Sequence, residues 1–286
     1  MLALRLIILI FLLILTGCSQ KSSPGSRLNK LTIGIVSYGQ QKQSFDQYLE
    51  LKNYLSVKLN TVIELEPAYN EVKAKKRIQS QQWDVVFAPP GLAALAVSQQ
   101  QYKPLVSLEG GENTISVIVV LADSSITDLP SLQGKIFALG QPGSATGYYF
   151  PLYNLYGLTL ESVKLAPTPK KTPYWIYQQE VAAGALSLAK YNRYRQDYPQ
   201  KSFRILHTDI HSVPNGSIIV SPSLDSEQQQ QIYLAVSEAD SELIESLGYL
   251  PDEPVPEYEY LIQVVTRVIP ISQRIREKPA RLYETN

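Results

Sequence analysis

Short apolar runs alternate with amphipathic stretches along almost the whole chain, and this alternation constrains the fold more than any other feature. Leu31 to Val36, LTIGIV, has the character of a buried strand. Ser44 then caps a helix, with Gln47 completing a capping box and Phe45, Tyr48, Leu51, Leu55 and Leu59 on one face. Val62 to Leu65 is a second strand, ending at Pro67-Ala68-Tyr69, and a helix follows from about Asn70 to Ser80. Trp83 to Ala88 is a third strand, broken by Pro89-Pro90-Gly91 ahead of an alanine-rich helix from Gly91 to Ser98. Such alternation predicts a parallel sheet with helices on both faces, and ligands of such sheets sit at the carboxyl ends of the strands. The turns after Val36, Leu65 and Ala88 are therefore candidate walls of a site.

The pattern repeats in the second half. Leu105 to Leu108 and Ile115 to Ala122 are strands, and after Ile126 to Pro130 a new unit opens with a strand from Lys135 to Leu139. A helix ending near Gly157 follows, then a strand at Val163 to Leu165 and a helix from about Tyr174 to Ala183. A turn at Gly184 leads to the strand Ala185 to Leu188. Ser217 to Val220 is a further apolar run, Ser226 to Leu247 a long helix, and Tyr258 to Val268 a last short helix after Pro251, Pro254 and Pro256. Two units joined near Ala122 predict two lobes facing across a cleft: 31–122, then 123–220, with 221–286 returning to the first.

Between Leu139 and the next helix lies a turn rich in glycine and hydroxyls, Gly140 to Gly147. An oxyanion at such a junction would meet free backbone N–H groups, the positive end of a helix dipole and the hydroxyls of Ser144 and Thr146. Both hydroxyl residues are equally good N-caps, and spacing alone leaves the two readings open. The turn is not a nucleophile elbow, because Ala145 holds the centre of the G-x-S-x-G pattern, and it lacks the Gly-Lys-Ser/Thr ending of a Walker A loop. The only two histidines, His207 and His211, are expected in a mobile polar loop rather than at a metal. Lys73, Lys75, Lys76 and Arg77 form either a partner patch or a solvated helix face. No carboxylate pair stands in the turn for acid–base work, so no enzyme activity, metal or cofactor is expected.

The 286 residues carry a formal net charge of +0, without the basic excess that nucleic-acid binding demands. Cys18 is the only cysteine, which excludes an intrachain disulfide and a cysteine-built metal site. It follows an apolar run from Leu6 to Leu15 that is too short to span a bilayer, which takes ~20 residues. Leu15-Thr16-Gly17-Cys18 resembles the lipobox of bacterial lipoproteins. That resemblance implies a signal peptide over 1–17, an acylated Cys18 and, through the polar segment to Lys30, a flexible tether at an extracytoplasmic membrane face.

Four features, in order, resemble the substrate-binding proteins of phosphonate, phosphite and phosphate ABC transporters. Tyr69 follows the second strand at a helix start, and Trp83 to Ala88 leads into a small-residue turn. Ile126 to Lys135 is similar to the family's segment before its second-lobe strand. Gln141 to Gly147, QPGSATG, resembles the motif Asp-Pro-Asn-Ser-Thr-Ser-Gly, whose hydroxyls and amides hold a phosphorus oxyanion. Val181 to Leu186 also matches the helix and turn ahead of another cleft position. The resemblance implies an α/β, two-lobed periplasmic-binding-protein fold of the second topological type, with the ligand cleft between the lobes. It also implies a monomer that captures a small phosphorus oxyanion and delivers it to an ABC permease. Ser144, Thr146 and the N–H groups of Ala145 and Gly147 would grip the oxyanion, while Tyr69 and the Ala88-Pro89 turn close on it. Three positions depart from the pattern. Ala145 replaces a hydroxyl, Ser187 stands where many members have an aspartate, and Tyr174 stands near a histidine of the aminoalkylphosphonate binders. Tyr174 fits an aromatic wall or plain core packing equally well. The competing expectation is a sensory or adhesive lipoprotein on the same fold.

Overall fold

The computed structural model describes residues 28–36, 42–110, 114–199 and 202–284. The signal peptide expected at 1–17, Cys18 and nearly all of the tether lie outside the described residues. The first part runs β1 (Lys30–Val36), α1 (Lys42–Lys58), β2 (Val62–Ala68), α2 (Glu71–Gln79), β3 (Val85–Ala88), α3 (Pro90–Gln100) and β4 (Lys103–Leu108). The middle runs β5 (Ile115–Leu121), β6 (Ile136–Leu139), α4 (Phe150–Asn154), β7 (Thr159–Leu160), β8 (Ser162–Leu165), α5 (Lys171–Tyr177), β9 (Ala183–Ser187), α6 (Leu188–Tyr194) and β10 (Phe203–Ser212). The chain ends with β11 (Ser217–Val220), α7 (Ser226–Ser237), α8 (Ser241–Leu247), β12 (Tyr249–Leu250), α9 (Glu259–Ser272) and β13 (Ala280–Arg281).

These strands form a six-stranded sheet, β12-β4-β11-β3-β1-β2, a five-stranded sheet, β10-β5-β9-β6-β8, and a small β7–β13 pair. β2, β1 and β3 are parallel, as the intervening helices α1 and α2 require. The sheets are nevertheless mixed, not parallel throughout. β11 is antiparallel to both β3 and β4, and β5 is antiparallel to both β9 and β10. The chain crosses between the sheets twice, after β4 and after β10, and each return brings a strand in against the prevailing direction. Consequently β5 belongs to the second sheet and β11 to the first, which moves both crossings away from the expected boundaries at 122 and 220.

Other local expectations shift for identifiable reasons. α1 begins at Lys42, so Ser44 lies inside the helix, though Leu51 and Leu55 of its expected face are buried. The helix expected to reach Ala183 stops at Tyr177, and Gly184 pairs with Val119 inside β9 instead of turning. His207 and His211 sit in β10, since the edge of the second sheet continues pairing past Leu206. The long helix after Ser226 breaks at Glu238, where Asp240 caps α8 by accepting the Leu243 N–H at 2.8 Å. The last helix extends to Ser272. In the basic cluster, Glu66 pairs with Arg77 and lies 4.0 Å from Lys73.

One apolar cluster runs through both sheets. It joins Val86 of β3 and Phe137 of β6 through Leu92 and Ala96 of α3, Tyr148 and Phe150 near α4, and Leu261, Val265 and Val268 of α9. The tail therefore does not simply rejoin the first sheet. α9 packs on α3 and on α4 alike, and β13 pairs with β7. At the centre of this contact, α3 lies directly on the turn before α4. A Cβ at Gly91 would stand 2.2 Å from the Gly143 carbonyl oxygen and 2.7 Å from the Ala145 nitrogen. Gly91→Ala is therefore expected to force α3 off that turn and cost about 1–3 kcal/mol. A urea-denaturation midpoint equal to wild type would show that the contact is dispensable.

Candidate functional site

β6 ends at Leu139, and the turn from Gly140 to Ser144 feeds a wide π-helical turn, Ala145–Tyr149, that continues as α4. The widening is visible at the Ser144 carbonyl, which accepts from Tyr148 N–H at 3.2 Å and from Tyr149 N–H at 3.1 Å. Ser144 Oγ accepts the Gly147 N–H at 3.1 Å, so Ser144 does cap this helix. Two further bonds pin the turn. Gly140 N–H donates to the Gly147 carbonyl at 2.7 Å, and the Ser116 hydroxyl of β5 donates to the Thr146 carbonyl at 2.8 Å.

Capping and anion binding are compatible here. The Gly147 amide is spent on Ser144, which removes it from the expected set of ligand donors. The amides of Ala145 and Thr146 stand at the first turn, where the helix itself supplies no acceptor. The Ser144 hydroxyl keeps its own proton to donate while accepting from Gly147. Thr146 is almost wholly buried, at 9% exposure.

A second helix start meets the first. Ser187 ends β9 and caps α6, its Oγ accepting the Lys190 N–H at 3.2 Å. Ser144, Thr146, Gly147 and Ser187 share one cavity wall with two residues that sequence reasoning did not single out, Lys190 and Glu71. Burial lowers the Lys190 ammonium below the ordinary lysine range, against the opposing pull of the Glu71 carboxylate. Tyr149, behind the turn, is raised by burial, by Tyr148 and by the same Glu71 charge. Positive helix ends and an ammonium thus face one small space, which suits an anion.

The other expected residues lie elsewhere. Tyr69 is 62% exposed, and Tyr174 is 40% exposed with the Lys171 ammonium 3.7 Å from its ring centroid. Ala88 is fully buried and pairs with Ser217, and Pro89 only precedes α3. Ala145 is covered by α3 at Gly91. None of these five lines the cavity. From the first sheet the approach comes instead from Glu71 and Gly91. A sequence signal existed for Lys190, which stands three residues after a serine that ends an apolar run. None existed for Glu71, since an acidic residue in a helix's first turn is ordinary on a solvated surface.

Comparison with known proteins agrees with this architecture. The structure is similar to XAC2383 from Xanthomonas citri bound to chloride ion, with TM-score 0.69 and 19% identity over 84% of this chain and 99% of that one. It is similar to PA3383 of Pseudomonas aeruginosa, a binding protein component of an ABC phosphonate transporter, with TM-score 0.63 and 13% identity over 87% and 88%. PhnD1 from Prochlorococcus marinus in complex with methylphosphonate gives TM-score 0.63 and 15% identity over 84% and 98%. At these identities the likeness is one of fold, that of the periplasmic binding proteins of the second topological type. No curated protein matches the sequence. Residues 33–255 match the profile described as ABC transporter, phosphonate, periplasmic substrate-binding protein. That match spans most of the chain, and the protein belongs to this family of extracytoplasmic solute-binding components.

Proposed function

We propose that the protein captures a small phosphorus oxyanion at the Ser144–Thr146 turn and delivers it to an ABC permease while held to the membrane through an acylated Cys18. The observation that carries the ligand is the convergence of two serine-capped helix starts, at Ser144 and Ser187, with the Lys190 ammonium on a single cavity wall. The hydroxyls of Ser144, Thr146 and Ser187 and the amide of Thr146 donate to the oxygens, and Lys190 balances their charge, while the Ala145 amide of the expected set is covered by α3 at Gly91. With Ser187 in place of an acidic side chain, that position donates to a fully ionised oxygen instead of demanding a protonated one.

The two crossings between the sheets supply the hinge for capture. They approach each other at Gly110 and Asn215, where a Cβ at Gly110 would overlap the Asn215 side chain. The Asn215 carbonyl is held in turn by the buried Tyr258 hydroxyl at 2.8 Å. Rotation there swings the first sheet, with α2 and α3, against the turn on the second. The acyl anchor rests on the lipobox, and the structure adds only that no described helix is long and apolar enough to cross a membrane.

Calorimetry with phosphate, phosphite, methylphosphonate, aminoethylphosphonate and sulfate is expected to give selective heat with one phosphorus ligand. Thr146→Val removes a donor to a charged group and is expected to cost about 1.5–3 kcal/mol of affinity without loss of fold. Affinity unchanged in that variant would place the site elsewhere, and equal heat from sulfate would remove the selectivity for phosphorus.

Lys190 adds a pH signature with a definite sign. Its ammonium is lost at a lower pH than an exposed lysine's, and an oxyanion binds the charged form. Above that depressed pKa, binding must take up a proton, so affinity is expected to fall by about tenfold per pH unit. Lys190→Met should bind weakly at neutral pH and show no such slope. A slope that survives in the variant would exclude Lys190 as its source.

A further inference from the structure

Glu71 is an unusual occupant of an anion site. It opens α2 on the first sheet, and among the cavity's described lining residues it alone comes from outside the second-sheet half of the chain. An acidic residue in a first helical turn gains from the dipole, but that gain needs no burial. Capping does not explain it either, because Asn70 supplies the side chain that accepts the Lys73 N–H. Yet Glu71 is only 5% exposed. Its methylenes lie against the anion turn itself: a Cβ at Gly143, where φ is +121°, would stand 2.8 Å from Glu71 Cβ. Glu71 lines the cavity together with Ser144, Thr146, Ser187 and Lys190, and its charge acts on the Lys190 ammonium. The cavity measures about 20 Å³ on a scale where one water needs roughly 10–15 Å³. A phosphorus atom with four substituents requires more room than one water.

We infer that Glu71 is an internal competitor for the anion site: its carboxylate, carried across from α2, holds the charge and the space that an incoming oxyanion must take. This inference rests on the reading of the Ser144–Thr146 turn as the oxyanion site and adds what selects its ligands. A carboxylate and an oxyanion repel across a short, poorly solvated gap, and both are served by the same ammonium. Entry of the ligand therefore requires Glu71 to swing out or α2 to withdraw with the first sheet. The same residue also links the two sheets when no oxyanion is present, since from α2 its methylenes pack on Gly143 of the anion turn and its charge acts on Lys190 of α6.

Two substitutions separate charge from space. Glu71→Gln removes the charge at nearly constant volume and leaves the Lys190 ammonium to the ligand, while Glu71→Ala also clears the cavity. Titrations use methylphosphonate and inorganic phosphate as probes, alongside small-angle scattering of the ligand-free proteins. Both variants are expected to bind at least one probe about tenfold or more tightly than wild type, with Ala at least equal to Gln. Both are also expected to show a larger ligand-free radius of gyration that contracts on titration. Wild-type binding that either variant matches or exceeds only within error, or that both variants weaken, would overturn the competitor and leave the oxyanion site standing. Silence from wild type and both variants with both probes would remove the oxyanion site itself.

Discussion

The rest of the structure depends on one backbone contact, the seating of the α3 N-terminus on the turn from Gly143 to Ala145. It is made without side chains, because a Cβ at Gly91 would overlap the Gly143 carbonyl. That closeness allows the apolar faces of α3, α4 and α9 to merge into a cluster reaching both sheets. It also brings the first turn of α2, one helix away, within reach of the second sheet. The anion turn is therefore fixed from two sides. Its own capping bonds and the Ser116 hydroxyl hold it from below, and a helix backbone presses on it from above.

The elements themselves were legible because their burial patterns are simple. β3 is buried throughout and α3 from Gly91 to Ala96, and an uninterrupted apolar run betrays that in sequence. Strand direction was not legible, since nothing in Ser217 to Val220 records that the chain returns to the first sheet from the far side. The extra reach of β10 past Leu206 was hidden for a related reason. His207 to Ser212 is polar because it forms a sheet edge largely exposed to solvent, and polarity imitates a loop.

At the site, the hydroxyl-rich turn was readable and its chemistry only partly so. Ser144 both caps and faces the cavity, which dissolves the choice between the two readings of that residue. The residues marked by family resemblance in the first half, Tyr69, Ala88 and Pro89, stand away from the cavity wall, while Glu71, two residues beyond Tyr69, is on it. A motif carries the identity of a neighbourhood, but the angle at which a helix leaves its strand decides which side chain enters. Periodicity does not encode that angle. Lys190 illustrates the converse, since its proton affinity is depressed by burial against the opposing Glu71 charge, a balance that leaves no mark on the sequence.

The small β7–β13 pair has a consequence for how the molecule can be watched at work. β13 lies close to the end of the chain and is stitched to the segment that leads directly into β8, with Gly157 N–H donating to the Leu282 carbonyl at 2.9 Å and Leu282 N–H to the Leu158 carbonyl at 2.8 Å. β1, by contrast, opens the first sheet. The two ends of the folded body are thus tied to different halves. A pair of fluorophores placed just before Lys30 and just after Tyr283 would convert any relative displacement of the two halves into a change of energy transfer, with no label near the cavity.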